Sequence, residues 1–242
     1  MSLGRLHLVP SLLGATVPAE VLPQRTIDTA RGIAFYVVEN AKPARHFLKT
    51  LGTTLPLQSI NMVEIGTEPS PGRCAELLAP ALAGHDLGLL SDAGCPGIAD
   101  PGALLVAAAH RAGIVVVPLV GPSSLLLALM ASGMNGQGFA FHGYLPVKPQ
   151  PRADALQRLE SASARQGQAQ LFIETPYRNE AMLSALVAHC RPETRLCIAA
   201  DLTTATESVE TRTLREWRSR DATRYAKRPA IFILQASSRN VG

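Results

Sequence analysis

Between residues 5 and 133, short apolar runs alternate with longer segments whose apolar positions recur every three or four residues. Leu6-His7-Leu8-Val9 and the run IAFYVV at 33–38 are rich in β-branched or aromatic residues and are bounded by breakers, so they predict strands. Residues 71–83 predict a helix, with Ser70 placed to cap it, Pro71 in the first turn and Gly84 at its end. A strand follows at 86–90, a helix at 103–112 stopping at Gly113, an apolar strand at 114–120 and a helix at 124–132 ending before Gly133. Strand, loop and helix in this alternation predict a mostly parallel sheet, and uniformly apolar strands such as IVVVPLV fit a sheet covered on both faces.

Past Gly133 the pattern changes. A Gly-rich patch leads to FAFHGY at 139–144 and then to LPVKPQP at 145–151, whose three prolines predict a stiff connection and a domain boundary. Beyond it come a helix at 152–163, a strand at 170–173, a helix starting near Thr175-Pro176, a strand at 196–200, an Arg-rich segment and a last strand at 230–234. The expected architecture is two α/β domains. Residues 1–144 carry the mostly parallel sheet, and residues 145–242 form a smaller mixed-sheet domain.

With 242 residues, 47% hydrophobic and 17% charged, the chain has the composition of an ordered protein large enough for two modest domains. No stretch reaches the roughly 18 uninterrupted apolar residues of a membrane span. The best candidate, 113–132, is interrupted by Gly121-Pro122-Ser123-Ser124. The first residues lack a signal-peptide pattern, since their short apolar run stops at Pro10, and the expected location is the cytoplasm. The four cysteines form no C-x-x-C pair, and the six histidines include no H-E-x-x-H, so reduced thiols and no metal centre are expected. The net charge of +4 is concentrated. Seven cations (Arg212, Arg215, Arg218, Arg220, Arg224, Lys227, Arg228) stand against Glu216 and Asp221 between residues 211 and 228. Such a segment can hold phosphates or form a solvated face.

The loop SDAGCPGIADPG at 91–102 follows the strand 86–90, and Gly121-Pro122-Ser123-Ser124 follows the strand 114–120. In open parallel sheets, ligands bind outside the carboxyl ends of the strands, where these two loops fall. Glycines let the backbone approach a ligand and prolines fix that approach. Asp92 and Asp100 offer acceptors for ribose hydroxyls or an ammonium group, and Ser123 and Ser124 offer small donors at a helix start. There is no G-x-x-x-x-G-K-[ST], no G-x-G-x-x-G after the first strand and no G-x-S-x-G. Kinase-like, dinucleotide-binding and serine-hydrolase readings therefore lack support. The residues alone predict a pocket for a small polar ligand without naming it.

Residues 87–133, with their S-D-A-G-x-P-x-I-x-D-P-G loop and V-P-x-x-G-P-S segment, resemble the tetrapyrrole methylase superfamily. Within it they resemble the branch of the small-subunit ribosomal RNA methyltransferase I, which methylates a cytidine ribose 2′-hydroxyl in 16S rRNA. The resemblance continues through GYLPVKPQPRADAL, FIETPYR and AADLTTATE, and covers residues 6 to 235. It implies a homodimeric two-domain methyltransferase holding S-adenosylmethionine in the cleft between its domains, leaving S-adenosylhomocysteine as product, with no metal. Carried over by position, the cofactor side is Asp92, Ala93, Gly94, Ile98, Asp100, Ser123 and Ser124, with backbone near Leu202 and Ala230 about the adenine. Glu39 or Asp100 would serve as the base for a hydroxyl acceptor. Glu174, Arg178 and Glu207 match the family and would face the substrate, or else form structural ion pairs. Arg152, with Lys148 and the 212–228 segment, would meet RNA of the small ribosomal subunit.

The departures are uneven. The family's T-P-I-G-N is Ser11-Leu12-Leu13-Gly14-Ala15 here, and its E-D-T-R is Glu39-Asn40-Ala41-Lys42. In its A-R-E-L-T-K motif, Ala200, Asp201 and Thr204 replace Arg, Glu and Lys. Lys does not replace Arg where a phosphate must be held by two parallel bonds. Two other readings therefore stand beside RNA methylation: transfer to a tetrapyrrole-like small molecule, and a cofactor-binding or interaction protein that has lost catalysis.

Overall fold

The computed structural model describes residues 2–237. The chain divides into two compact units, Met1–Ser123 and Ser124–Gly242.

The first unit runs β1 (Arg5–Val9), α1 (Pro18–Val21), α2 (Gln24–Gly32), β2 (Phe35–Val38), α3 (Ala41–Leu51), β3 (Asn61–Glu64), α4 (Pro71–Leu82), β4 (Leu87–Leu90), α5 (Ala103–Arg111) and β5 (Val115–Pro118). Its strands form one sheet in the order β3-β2-β4-β1-β5, and every pairing is parallel. Burial follows this order. The central β4 (LGLL) is buried at all positions, whereas the edge strands β3 and β5 are only half covered. Helices α2 and α3 pack with Tyr36 and Val38 on one face, and α4 and α5 pack with Val37, Leu87 and Leu89 on the other. In α3 the buried residues Ala44, Phe47, Leu48 and Leu51 fall at helical spacing on one stripe. Ser70 caps α4 as its sequence predicts, accepting from the Arg73 amide at 3.2 Å, with Pro71 at the first position.

The second unit runs α6 (Ser124–Ser132), β6 (Phe139–Tyr144), α7 (Pro149–Gln166), β7 (Ala169–Ile173), α8 (Asn179–His189), β8 (Arg195–Ala200), β9 (Ser208–Thr213), α9 (Leu214–Trp217) and β10 (Ala230–Gln235). The sheet order is β6-β7-β10-β8-β9, with β6 and β7 parallel and the other pairs antiparallel. Helices α7 and α8 cover one face over Phe172, Ile198 and Phe232, and α6 packs against β8, β9 and β10. The rings of Phe172 and Phe232 stack at 5.6 Å, and the buried indole of Trp217 donates to the Leu196 carbonyl at 3.0 Å.

The change in composition predicts a boundary between residues 144 and 145, but the boundary falls at Ser123/Ser124. The reason is pairing: β6 belongs to the second sheet through β7, and α6 packs on that sheet. The prolines at 146–151 stiffen a connection inside the second unit, from β6 into α7. Among the described residues, no helix is long and apolar enough to cross a membrane. All four cysteines are free, and burial pushes the Cys190 and Cys197 thiols up to about 12 and about 11.

Candidate methyl-donor site

The five strands of the first sheet point their carboxyl ends the same way, and the loops leaving them are bound to one another. The Ser11 amide donates to the Gly94 carbonyl at 2.9 Å, and the Cys95 thiol lies 3.5 Å from the Pro122 carbonyl. The Thr26 hydroxyl donates to the Val120 carbonyl at 2.8 Å. Two glycines make this interlock possible. Gly94 sits at φ +73°, and a Cβ there would meet Leu13 Cδ2 at 3.1 Å. A Cβ on Gly121 would lie 2.2 Å from Pro10 Cγ, inside any allowed contact. Three loops far apart in sequence thus form one surface, largely through backbone.

Glu39 and Asn40 follow β2 and hold the loop after β4. The Asp92 amide donates to Glu39 Oε2 at 3.1 Å, the Asn40 side-chain amide donates to Asp92 Oδ2 at 2.7 Å, and the Glu39 amide donates to the Leu90 carbonyl at 3.1 Å. Asn40 stands where a helix cap is expected, but its side chain serves Asp92. Glu64, at the end of β3, instead accepts from the Ala41 amide at 2.8 Å. This gives the departure from the family's acid a physical meaning. A carboxylate at position 40 would oppose that of Asp92, whereas the amide fixes it.

Asp100 lies at the far end of the same loop. Burial and the Glu39 carboxylate push its carboxyl up to about 6, the Ser91 hydroxyl offsets part of the rise, and Asp92 adds to it. Asp92 and Ala93 line a cavity of about 480 Å³ with Ser11, residues 12–16, and Pro43, His46, Phe47 and Thr50. The Ser11 hydroxyl is buried without a protein partner. A second depression, of about 530 Å³, is lined by Glu39, Asn40, Glu64, Arg73 and Pro101 among others. Ile98 is exposed on the loop, and Ser123 closes the first unit while Ser124 opens α6 in the second.

The other expected residues lie in the second unit, gathered at one end of its sheet. The Leu202 and Ala230 side chains are buried, so what they offer a ligand is backbone. Glu174 and Arg178 form an ion pair, with Arg178 Nε and Nη2 donating to Glu174 Oε1 at 2.9 and 2.6 Å. Glu207 accepts from the Thr203 amide at 2.7 Å, and Arg152 sits in the first turn of α7. Asp201, at φ +51°, holds Arg228 at 2.7 Å, and the Arg228 guanidinium also reaches the Thr206 carbonyl and the Ser208 hydroxyl. Much of the Arg-rich segment is paired. Glu210 gathers Arg212, Arg220 and Arg224, and although burial raises its carboxyl, the Arg212 and Arg224 guanidiniums hold it below the usual range. Sequence reasoning missed the α3 wall and Glu64, and it read Ser11 only as a departure.

The first unit fits S-adenosylmethionine. Glu39, Asp92 and Asp100 supply negative charge suited to a sulfonium and an ammonium, and Ser11 has a hydroxyl to spend on a ligand. Among the described residues, no group of three His, Cys, Asp or Glu side chains could hold a metal.

The profile of the Tetrapyrrole (Corrin/Porphyrin) Methylases matches residues 25–217, and the chain belongs to that family. It is therefore a methyltransferase of that family. Its relatives include two proteins named ribosomal RNA small subunit methyltransferase I. That of Mesorhizobium japonicum is 40% identical over 87% of this chain and 67% of its own length. That of Xylella fastidiosa is 31% identical over 96% of this chain and 80% of its own. The fold is shared with the uroporphyrin-III C-methyl transferase of Thermus thermophilus complexed with S-adenyl homocysteine. That structure has a TM-score of 0.55 and 19% identity, over 96% of this chain and 97% of that one.

Proposed function

We propose that this protein transfers a methyl group to a ribose 2′-hydroxyl of ribosomal RNA in the small subunit. The observation that carries the reading is the set of Glu39, Asp92 and Asp100 carboxylates about the 91–102 loop, joined to relatives that match most of this chain and are named for that RNA. When bound, S-adenosylmethionine supplies an electrophilic methyl that an aligned nucleophile displaces in line. A ribose hydroxyl is a poor nucleophile, and its proton must leave as the new C–O bond forms. Asp100 accepts that proton, because a carboxyl titrating near 6 is ionised at neutral pH yet more basic than an ordinary aspartate. Glu39 and Asn40 orient the loop through the Asp92 amide and carboxylate. Asp92 and Ser11 hold polar groups of the donor.

The test is label transfer from tritiated donor to small ribosomal subunits, followed by nuclease digestion. The reading expects label in a 2′-O-methylated nucleoside. Label only in a tetrapyrrole-like small-molecule fraction would overturn it, as would donor binding without turnover on any acceptor.

The proposal includes a homodimer. The outer edge of β5 pairs with no other strand among the described residues, and Val115 on it and Val120 two residues beyond it are exposed at 60% and 71%. Sedimentation equilibrium should return twice the 25.7 kDa of one chain, and a monomer at working concentration would remove this part.

A further inference from the structure

Tyr177 is 82% exposed, the most exposed large hydrophobic side chain among the described residues of the second unit, yet it stands on a turn held by several hydrogen bonds. Glu174 Oε1 accepts from the Thr175 amide at 2.7 Å and from both Arg178 nitrogens. The Arg178 amide donates to the Thr175 carbonyl at 2.9 Å, and the Lys227 amide donates to the Pro176 carbonyl at 3.0 Å. Asn179 then clamps the same loop by donating to the Tyr225 and Arg228 carbonyls at 2.9 and 2.8 Å. The ring is thus presented to solvent on a mount that needs no further ordering.

A second aromatic emerges from the neighbouring strand end. Tyr144 is 59% exposed and pairs in register with Ile173, at the end of the strand that feeds the Tyr177 turn. Around this end of the sheet stand three cations, Lys148, Arg152 and Lys227, that form no ion pair among the described residues. Arg152 Nε is buried without an acceptor. Exposed rings and free cations at one end of a sheet match a single-stranded nucleic acid, whose bases stack on aromatic faces while its phosphates meet the cations.

We propose that Tyr177 is the base-stacking residue of the acceptor site, with Tyr144 as a second platform and Lys148, Arg152 and Lys227 as phosphate contacts for a single-stranded RNA segment. This rests on the RNA reading above and adds the place where RNA is held. Stacking tolerates any base, so Tyr177 contributes affinity and the position of the strand, while base selection lies elsewhere.

The test is fluorescence anisotropy of a short labelled single-stranded RNA with wild type, Tyr177→Ala and Tyr177→Phe, beside steady-state methylation of small subunits and calorimetry with S-adenosylhomocysteine. Tyr177→Ala should weaken RNA binding about ten-fold or more and raise KM more than it lowers kcat. Tyr177→Phe should retain binding, and donor affinity should be equal in all three. If Tyr177→Ala binds RNA as wild type does while wild type methylates it, the stacking assignment falls and the RNA reading stands. If wild type neither binds nor methylates RNA but methylates a polycarboxylate tetrapyrrole, both fall.

Discussion

The two ends that carry the candidate site residues are built differently. At the carboxyl ends of the first sheet, loops 10–16, 91–102 and 119–123 are locked through main-chain carbonyls and two glycines whose side-chain space is taken by neighbours. At one end of the second unit's sheet, the turns add side-chain ion pairs to their main-chain bonds, Glu174 with Arg178 and Asp201 with Arg228. A backbone-built pocket tolerates exchanges such as the Ser11 and Asn40 departures provided the main-chain path survives. A surface built from ion pairs depends on each partner. The 91–102 loop keeps the family's pattern, whereas the segments at 11–15 and 39–42 in the first unit and at 200–204 in the second depart from it.

Substitutions can break that contrast. The largest effect is expected at Gly94. Gly94→Val forces a β-branched residue to φ +73° against Leu13, a strain of about 1–3 kcal/mol confined to the loop. Donor affinity should fall about a hundred-fold by calorimetry while cooperative melting is retained. Asp92→Ala should weaken the donor less, because the loop path remains.

Next comes Asp100→Asn, which should abolish methyl transfer while weakening donor binding less than Gly94→Val does. Wild-type turnover should itself fall as pH drops through about 6, where the carboxyl takes up its proton. The stability sign is opposite. A carboxyl raised on folding penalises the native state above its folded pKa, so Asp100→Asn should raise Tm at pH 7.5 by about 2–4 °C, roughly the shift for 1 kcal/mol in a chain of this size. That gain should shrink as pH falls below about 6 and vanish by about pH 3, where the wild-type group is protonated in both states.

In the second unit, Arg228→Ala removes contacts to Asp201, Thr206 and Ser208 and leaves a half-buried carboxylate unpaired. A loss of about 2–3 kcal/mol in denaturant unfolding is expected, with donor affinity less affected than by Gly94→Val. The smallest effect belongs to Arg215→Ala. Its bond to Glu193 joins two exposed side chains, and stability should stay within about 0.5 kcal/mol.

Much of the first sheet was legible because its strands are short, apolar and flanked by Gly and Pro, and its helices start and stop on clear caps. The segments that escaped carry mixed signals. In α3 the stripe Ala44, Phe47, Leu48 and Leu51 is diluted by Lys42, Pro43, Arg45 and His46. The edge strands β3 (NMVE) and β9 (SVETRT) are short or polar, as edges facing solvent are, and β9 reads as part of a charged segment. The loop 91–102 was legible as a site from its residues and its resemblance. Its locking was not, because Gly121 against Pro10 and Ser11 on Gly94 are contacts between distant segments that no local pattern encodes. The shifted boundary has the same origin, since only strand pairing assigns β6 to the second sheet.

The central claim is that backbone-locked loops of the first unit hold the methyl donor. Amide hydrogen exchange with and without S-adenosylhomocysteine tests it most directly. Exchange should slow at 11–16, 91–102 and 119–123, with the far ends of the same strands unchanged. Saturating ligand that leaves these three loops exchanging at their free rate would contradict the account.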